Sequence, residues 1–373
     1  MAIRDLVSSL FLVGFQGTDV SPQLANWLET YRPAGFIVFS RNLENPDQIA
    51  RLTASLQTYA DEHPFLIAID QEGGRVSRLP PSFTIFPSAA SLGACQDPDL
   101  AYEAAATTAK ELLAVGINMN MAPVLDVNTN PANPIIGDRA FGHHPDLVKA
   151  MGVATMTGLQ DHGVIACGKH FPGHGETTAD SHVELPTVTT SRARLDSVEL
   201  SPFRDAIDRG IAALMTAHVR YMALDAERPA TLSPSIVTGL LRETLGFTGV
   251  IVTDDLEMQG VLDCLLIEEA SVLALNAGCD MLVICHDPAR QSRAIEAVVR
   301  AVEEGRLSID RIMASHARIT ALKQRFHLSR SAPPEGITQI VGSSAHRALC
   351  EKIRHLSASL IAQETTDARH ETR

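Results

Sequence analysis

The chain has 373 residues, of which 45% are hydrophobic and 20% are charged, and its formal net charge at pH 7 is −13. This composition is typical of a globular protein with a large core. The acidic balance argues against a nucleic-acid-binding protein, which would carry basic patches, and against a protein held on anionic lipid by charge.

Neither the cysteines nor the N-terminus indicate export. The six cysteines contain no CxxC pair, which argues against a zinc knuckle and against a disulfide framework. The apolar segment near the N-terminus covers only residues 10–15 and follows Asp5. It is a poor signal peptide and is too short to span a bilayer. We therefore expect a soluble, cytoplasmic protein without nucleic-acid or membrane partners.

Short apolar runs alternate with segments of helical spacing along most of the chain. Because these runs are continuously apolar, they predict parallel strands that are buried on both faces. Eight strand-then-helix units favour a closed (β/α)8 TIM-type barrel over a doubly wound sheet. The predicted strands cover residues 10–15, 35–40, 65–70, 117–127, 165–171, 213–219, 249–255 and 280–285.

Helix signals complete this division of the chain. Ser201-Pro202 and Ser233-Pro234 each place a capping residue before a proline of the first turn. A closing helix is predicted over 309–328, a linker rich in Pro, Ser and Gly over 329–336, and another helix over 345–363. We therefore expect a barrel domain at residues 1–330 and a linker with a C-terminal helical tail at 331–373.

Polar side chains stand at the ends of five predicted strands. The active site of a barrel lies at the C-terminal ends of its strands, and a strand interior does not tolerate unpaired charges. We therefore expect a site built from these ends, which carry Asp70, then Asp126 with Asp138 and Arg139 beyond it, then Lys169 and His170, then His218, and finally Asp254 and Asp255.

Each of these residues also has a plainer interpretation. An aspartate at a strand end often caps the next helix, and a lone histidine such as His218 is more often a hydrogen-bonded core residue. Arg75 and Arg78 could be solvated surface charges, and Asp138 could orient Arg139 through an ion pair. The coincidence of five such strand ends favours a functional site.

The segment KHFPGHGETTADSH, residues 169–182, follows the fifth strand. Its proline and glycines exclude a helix, so His170 and His174 are not ligands on one helical face. Its length and glycines indicate a mobile lid. Asp180 and His182 could pair within it, so that the carboxylate fixes the imidazole tautomer and raises its pKa from about 6.5, as suits a general acid. Two surface residues of a loop are the plainer alternative.

Five segments resemble glycoside hydrolase family 3 when they are taken in order: IDQEGGRVSRL, NPIIGDRAFG, GKHFPGHGETTADSH, MTAHVRY and VIVTDDLEMQG. KHFPGHG followed by DSH is the most specific of these motifs. Within the family the segments resemble the bacterial β-N-acetylglucosaminidases of cell-wall recycling. The resemblance spans roughly residues 5–330.

The resemblance implies a role for each matching residue. Asp254 matches the nucleophile, His182 the general acid/base and Asp180 its dyad partner. Asp70 matches a carboxylate that binds sugar hydroxyls, and no metal or organic cofactor is implied. Glu176 stands where relatives often carry Asp. The remaining matches to sugar-binding side chains are Arg78, Arg139, Lys169 and His170.

The implied activity is retaining hydrolysis of a terminal β-linked N-acetylglucosamine from small, muropeptide-type cell-wall fragments. Asp254 would attack the anomeric carbon while His182 protonates the leaving oxygen, and water would then release the sugar. The partner is thus a small amino-sugar glycoside, and we expect a monomer or a weak homodimer.

Five alternatives stay open at this point. Phosphate could replace water, which would make the protein a phosphorylase, or the barrel could be another β-glycosidase. The N-acetyl oxygen could act as the nucleophile, with Asp254 orienting it. The barrel could bind sugar without catalysis. A metal-dependent hydrolase would use His170, His174, His218 and Asp254.

Overall fold

The computed structural model describes residues 2–61, 63–178, 185–263, 265–329 and 336–371. Eight parallel strands close into a barrel in chain order, and the last strand pairs with the first. The predicted TIM-type barrel is confirmed, and each predicted run contains one strand. The strands are β1 (Phe11–Val13), β2 (Gly35–Val38), β3 (Leu66–Ile69), β4 (Met119–Asn120), β5 (Ile165–Phe171), β6 (Ala213–Thr216), β7 (Val250–Asp255) and β8 (Met281–Ile284).

Burial along the strands follows the continuous apolar runs of the sequence. Every residue of the eight strands is buried except Asp254 and Asp255, the last two residues of β7, which are half-buried. Burial on both faces is what a parallel sheet covered by helices requires. The one exception therefore marks the C-terminal end of the barrel, which we call the mouth.

Helices surround the barrel and connect its strands. A π-helix spans Ser235–Thr244, and short 3₁₀ turns span Ser40–Asn42, Gly137–Arg139 and Ala230–Leu232. The α-helices are Ile3–Ser8, Pro22–Thr30, Pro46–Gln57, Ala89–Cys95, Pro98–Ala114, Pro145–Asp161, Arg192–Ser197, Ser201–Asp208, Gln259–Leu262, Ile267–Ala277, Pro288–Glu303, Ile309–Arg325, Ile337–Ile340 and Ser344–Glu371.

The two predicted helix starts differ in how well they hold. Ser233 Oγ accepts a hydrogen bond from the backbone N of Ile236 at 3.3 Å, as a capping residue should. At the other start the helix already includes Ser201, and Leu200 occupies the cap position without a side-chain hydrogen bond. That prediction is wrong by one residue.

The helix Ile309–Arg325, called here the closing helix, lies across the N-terminal ends of the strands, which form the floor of the barrel. Arg311 Nη2 donates to the carbonyl of Cys279, just before β8, at 2.7 Å. Arg325 Nη2 donates to the carbonyl of Gly210, just before β6, at 2.9 Å. Since both carbonyls precede strands, the closing helix covers the floor and leaves the mouth free.

Two further features lie outside the barrel. The predicted C-terminal helix is confirmed as Ser344–Glu371, and its Cys350 and Ile353 pack in an apolar cluster with Phe86 and Leu92. A small sheet pairs Thr187–Val188, Arg220–Tyr221 and Asp225–Pro229, which the sequence did not predict. Within the described part of the chain, no helix combines the length and apolarity needed to cross a bilayer.

Candidate active site

The predicted polar strand ends meet at the mouth. Asp70 directly follows β3, Lys169 and His170 lie in β5, and Asp254 is the fifth residue of β7. Lys169 Nζ is 2.7 Å from Asp70 Oδ1, which joins the ends of β3 and β5 directly. The C-terminal ends of neighbouring parallel strands share one edge, so chain order alone brings these groups together.

Glu72 is the residue that sequence reasoning missed. Its carboxylate lies 2.7 Å from Lys169 Nζ and accepts two hydrogen bonds of 2.8 Å from the guanidinium of Arg139. Burial disfavours the charge on Glu72, but Lys169 and Arg139 outweigh it and hold the pKa of Glu72 well below its usual range. The two acidic neighbours Asp70 and Glu72 likewise outweigh burial and raise the pKa of Lys169. The four side chains therefore form one ionised network.

Asp126 holds the next group of the mouth. Its fully buried carboxylate accepts from His170 Nδ1 at 2.7 Å, and from the backbone N of His170 at 3.1 Å and of His174 at 2.7 Å. His170 Nε2 lies 3.5 Å from Arg139 Nη2. Arginine has only donors, so His170 carries its proton on Nδ1 and offers the Nε2 lone pair. Burial lowers the pKa of His174 to about 4.

Arg78 lies beside an aromatic ring that follows β2. Its guanidinium carbon is 5.7 Å from the centroid of the Phe39 ring, and that of Arg41 is 4.4 Å from the same centroid. Arg78 Nε is buried and has no hydrogen-bond partner among the described residues. A buried donor without a partner is costly, so this atom is suited to a bound oxygen. Arg78 is half-buried, unlike the exposed Arg75, with which it was grouped as a possible surface charge.

Asp254 and Asp255 have different surroundings although they are neighbours. Asp255 Oδ1 accepts from the backbone N of Glu257 at 3.0 Å and of Cys285 at 3.3 Å. Burial raises the pKa of Asp255 to about 7. The backbone N of Asp255 donates to Asp254 Oδ1 at 2.8 Å. Asp255 therefore links the segments that follow β7 and β8. Burial raises the pKa of the Cys167 thiol inside the barrel, and the charges of Asp70 and Asp254 raise it further.

His218 is the core residue that the plainer interpretation anticipated. It is fully buried, its Nδ1 lies 2.9 Å from Thr231 Oγ1, and its Nε2 lies 3.0 Å from the carbonyl of Asp255. Across the described ranges, no three His, Cys, Asp or Glu side chains are placed to hold one metal ion. His218 thus serves the β6–β7 contact.

The ion pair between Asp138 and Arg139, one of the plainer alternatives, does not form. Asp138 Oδ1 accepts from Arg75 Nε at 2.7 Å in an exposed pair, whereas Arg139 turns inward to Glu72. Consecutive residues of the Gly137–Arg139 turn thus face opposite sides. Arg139 pairs instead with a residue 67 positions away in the chain.

The loop after β5 is held in place over its first half. Asn133 Nδ2 donates to the carbonyls of His174 and Gly175 at 2.9 and 3.1 Å. A Cβ on Gly175 would lie 1.7 Å from the carbonyl oxygen of Val127, so only glycine fits there. The loop is not helical, as predicted, and up to Thr177 it is buried except for the half-buried Glu176. Asp180 and His182 lie outside the described residues.

The comparisons agree on one family. The glycosyl hydrolase family 3 N terminal domain matches residues 3–322. Beta-hexosaminidase A of Pseudoalteromonas piscicida is 37% identical over 358 residues, which are 89% of this chain and 60% of that protein. The beta-hexosaminidase of Nitrosomonas eutropha is 43% identical over 260 residues, 68% of this chain and 74% of that protein. The chain thus spans three fifths to three quarters of these relatives.

A solved structure shows the same likeness in three dimensions. The glycoside hydrolase family 3 beta-N-acetylglucosaminidase from Paenibacillus sp. str. FPU-7 superposes with a TM-score of 0.91 at 44% identity, covering 96% of this chain and 69% of that one. Together with the family match over most of the chain, this confirms the resemblance carried by the five segments. The chain belongs to glycoside hydrolase family 3 and is a glycosidase.

Proposed function

We propose that this protein is a retaining exo-β-N-acetylglucosaminidase that removes terminal β-linked N-acetylglucosamine from small cell-wall fragments of the muropeptide type. The names of the relatives and of the Paenibacillus structure support the sugar. The single observation that carries the chemistry is the half-buried Asp254 at the mouth, beside a network of fixed charges around Asp70 and Lys169.

The network prepares Asp70 to bind a sugar. Lys169 holds Asp70 Oδ1, and the Asp70 side chain keeps 17% of its surface exposed. Its second oxygen can accept a sugar hydroxyl, and the third proton of the Lys169 ammonium can be donated to the same ring. Ion pairs that are already formed before substrate arrives need no reorganisation, which favours tight positioning of the sugar.

Two further donors and one acceptor extend this sugar site. Arg78 Nε gains the partner that it lacks among the described side chains if a sugar oxygen lies against it. His170 Nε2, fixed by Asp126 through Nδ1, accepts from a hydroxyl in place of its 3.5 Å contact with Arg139 Nη2, and Arg139 then donates that proton to the sugar. These contacts would orient the anomeric carbon toward Asp254.

The reaction then proceeds in two steps. A carboxylate oxygen of Asp254 bonds to the anomeric carbon while the bond to the aglycone oxygen breaks, and protonated His182, paired with Asp180, gives its proton to that oxygen. His182 next takes a proton from water, whose oxygen attacks the anomeric carbon and releases Asp254 with retained configuration. No metal or organic cofactor takes part.

Turnover of a chromogenic β-N-acetylglucosaminide by wild type, Asp254→Ala and His182→Ala tests the proposal. We expect an active wild type, an almost inactive Asp254→Ala, and a His182→Ala variant that loses less activity when the leaving group is activated. An inert wild type would contradict the proposed specificity for N-acetylglucosamine, and a panel of β-glucosides would then be assayed. A nearly unchanged Asp254→Ala would contradict the nucleophile.

The same assay separates hydrolysis from phosphorolysis. Product analysis with and without inorganic phosphate should yield free N-acetylglucosamine in both cases. Accumulation of the sugar 1-phosphate would instead make the protein a phosphorylase that uses the same residues.

A further inference from the structure

A second cavity lies at the opposite end of the barrel from the proposed active site. It has a volume of about 300 Å³, within the range of small-molecule pockets. Its walls come from the closing helix and from the segments that lead into β1, β2 and β3. They comprise Asp5, Ser9, Arg32, Pro33, Asp61, His63, Phe65, His316, Ile319, Thr320 and Lys323.

Lys323 is the group in this cavity that lacks a counter-charge. This residue is only 8% exposed, and no ion pair or hydrogen bond joins its amine to the described residues. The other cations of the closing helix differ, because Arg311 and Arg318 lie 3.3 and 3.1 Å from the buried carboxylate of Asp280. A buried ammonium without a partner is unfavourable, and an anion bound in the cavity would supply the missing counter-charge.

Two histidines line the same cavity. Ser9 Oγ donates its one proton to the carbonyl of Leu6 at 2.7 Å, so it accepts from His316 Nδ1, also at 2.7 Å. The neutral ring of His316 therefore has its proton on Nδ1, and charging it adds a proton to Nε2. Burial, followed by the charges of Lys323 and His63, lowers the pKa of His316. Burial lowers the pKa of Lys323 to about 7.

The acidic groups of the cavity do not neutralise Lys323. Asp61 is paired with Arg32 at 3.1 Å, and its side chain is 69% exposed, at the rim. Asp5 lies on the first helix and makes no ion pair with Lys323. Apart from Asp5 and Asp61, the described residues that line the cavity carry no carboxylate, whereas Lys323, His316 and His63 supply three basic groups.

We propose that this floor cavity binds a small phosphate-bearing ligand, whose oxyanion pairs with Lys323 and accepts hydrogen bonds from His316 and His63. The two negative charges of a phosphate dianion complement a cavity wall that carries one amine and two imidazoles. The oxyanion restores the charged forms of Lys323 and His316, so binding near pH 8 takes up protons. The site is separate from the sugar site and does not depend on Asp254.

Calorimetric titration of the whole chain with inorganic phosphate tests this site. Titration in Tris and in HEPES at pH 8 and equal ionic strength measures the protons taken up. We expect binding with net proton uptake in wild type and in the control Lys352→Met, which changes an exposed lysine of the C-terminal helix. Lys323→Met should bind at least about tenfold more weakly, because the ion pair is lost.

A second variant separates charge from structure. Lys323→Arg keeps a permanent charge, so it should still bind phosphate but take up about one proton fewer than wild type. Hydrolytic turnover, which does not use the floor, reports whether each variant is folded. Absence of phosphate binding in wild type, or unchanged binding by folded Lys323→Met, would overturn the proposal.

A third titration shows whether the ligand is free phosphate or a phosphate ester. Tighter binding of glucose 6-phosphate than of inorganic phosphate would support an organic phosphate ligand, and the reverse order would support free phosphate. Binding of either that survives in Lys323→Met lies elsewhere, for instance at the mouth, and contradicts the floor site.

Discussion

The two ends of this barrel surround an aspartate carboxylate in different ways. At the floor, Asp280 is fully buried and accepts from Arg311, Arg318, Ser315 and the backbone N of Ile251, and it also contacts Arg242. At the mouth, Asp70 is partly exposed and is held at one oxygen by Lys169. A carboxylate whose acceptor sites are all used holds the fold together, and one with a site left over can bind a substrate.

The same difference separates the cations. Arg139 and Lys169 share the carboxylate of Glu72 at the mouth, where a substrate can approach them. Arg311 and Arg318 both pair with the buried carboxylate of Asp280 at the floor. Mutations at the mouth should therefore change turnover more than stability, and mutations at the floor should do the reverse.

Replacing Asp254 should have the largest effect of any change at the mouth. Asp254→Ala removes the proposed nucleophile, so turnover should fall roughly 10³-fold or more. Its side chain is half-buried, so the melting temperature should stay within about 3 °C of wild type. Steady-state kinetics and thermal unfolding of the same sample measure both. A variant that unfolds before it loses turnover would contradict the assignment.

Replacing Asp280 should give the inverse pattern. Asp280→Ala leaves three guanidinium groups without their buried carboxylate, and such losses cost about 3–5 kcal/mol. Urea unfolding should show this loss, while turnover per folded molecule at low temperature stays near that of wild type. A selective loss of turnover with normal stability would show that the floor takes part in the reaction.

Glu72 should affect both properties, because it belongs to the mouth and is buried. Glu72→Gln leaves Lys169 and Arg139 without their shared charge, so the free energy of unfolding should fall by about 3 kcal/mol. KM should also rise, since Lys169 no longer holds Asp70 in place. The matched control is Asp138→Asn, which breaks the exposed pair with Arg75 and should cost less than about 1 kcal/mol. Equal effects of the two variants would contradict the network.

Asp255 should make a smaller, pH-dependent contribution. Its folded pKa of about 7 lies above the unfolded value of about 3.9. Its contribution to stability is therefore full below about pH 4 and is lost as the pH rises through about 7. Between pH 4 and 7.5, wild type should therefore lose more stability than Asp255→Asn, because the variant has no carboxyl group to titrate. Parallel pH profiles of the two proteins would contradict the raised pKa.

The barrel could be predicted because its strands are specified locally. Each strand is a short, continuously apolar run, and only Asp254 and Asp255 interrupt the burial of the eight strands. The strands Thr187–Val188 and Arg220–Tyr221 could not be predicted, because two-residue strands depend on the pairing partner rather than on their own pattern.

The site was predictable in its strand ends but not in its pairings. Asp70 and Lys169 stand where any parallel barrel gathers polar side chains, so their contact followed from chain order. Glu72 sits in a glycine-rich turn and looks like one more loop acid until Arg139, 67 positions away, reaches it. Which acid meets which base depends on the direction of each side chain, which no local pattern in the sequence encodes.

The most direct test of the account is to trap the covalent intermediate. A slowly hydrolysed fluorinated N-acetylglucosaminide would be incubated with the enzyme, and the labelled peptide would be located by mass spectrometry. The account predicts that the sugar is bound to Asp254 and that the Asp254→Ala variant gains no mass. A label on another residue, or an active wild type that never forms an adduct, would contradict the assignment of Asp254 as the nucleophile.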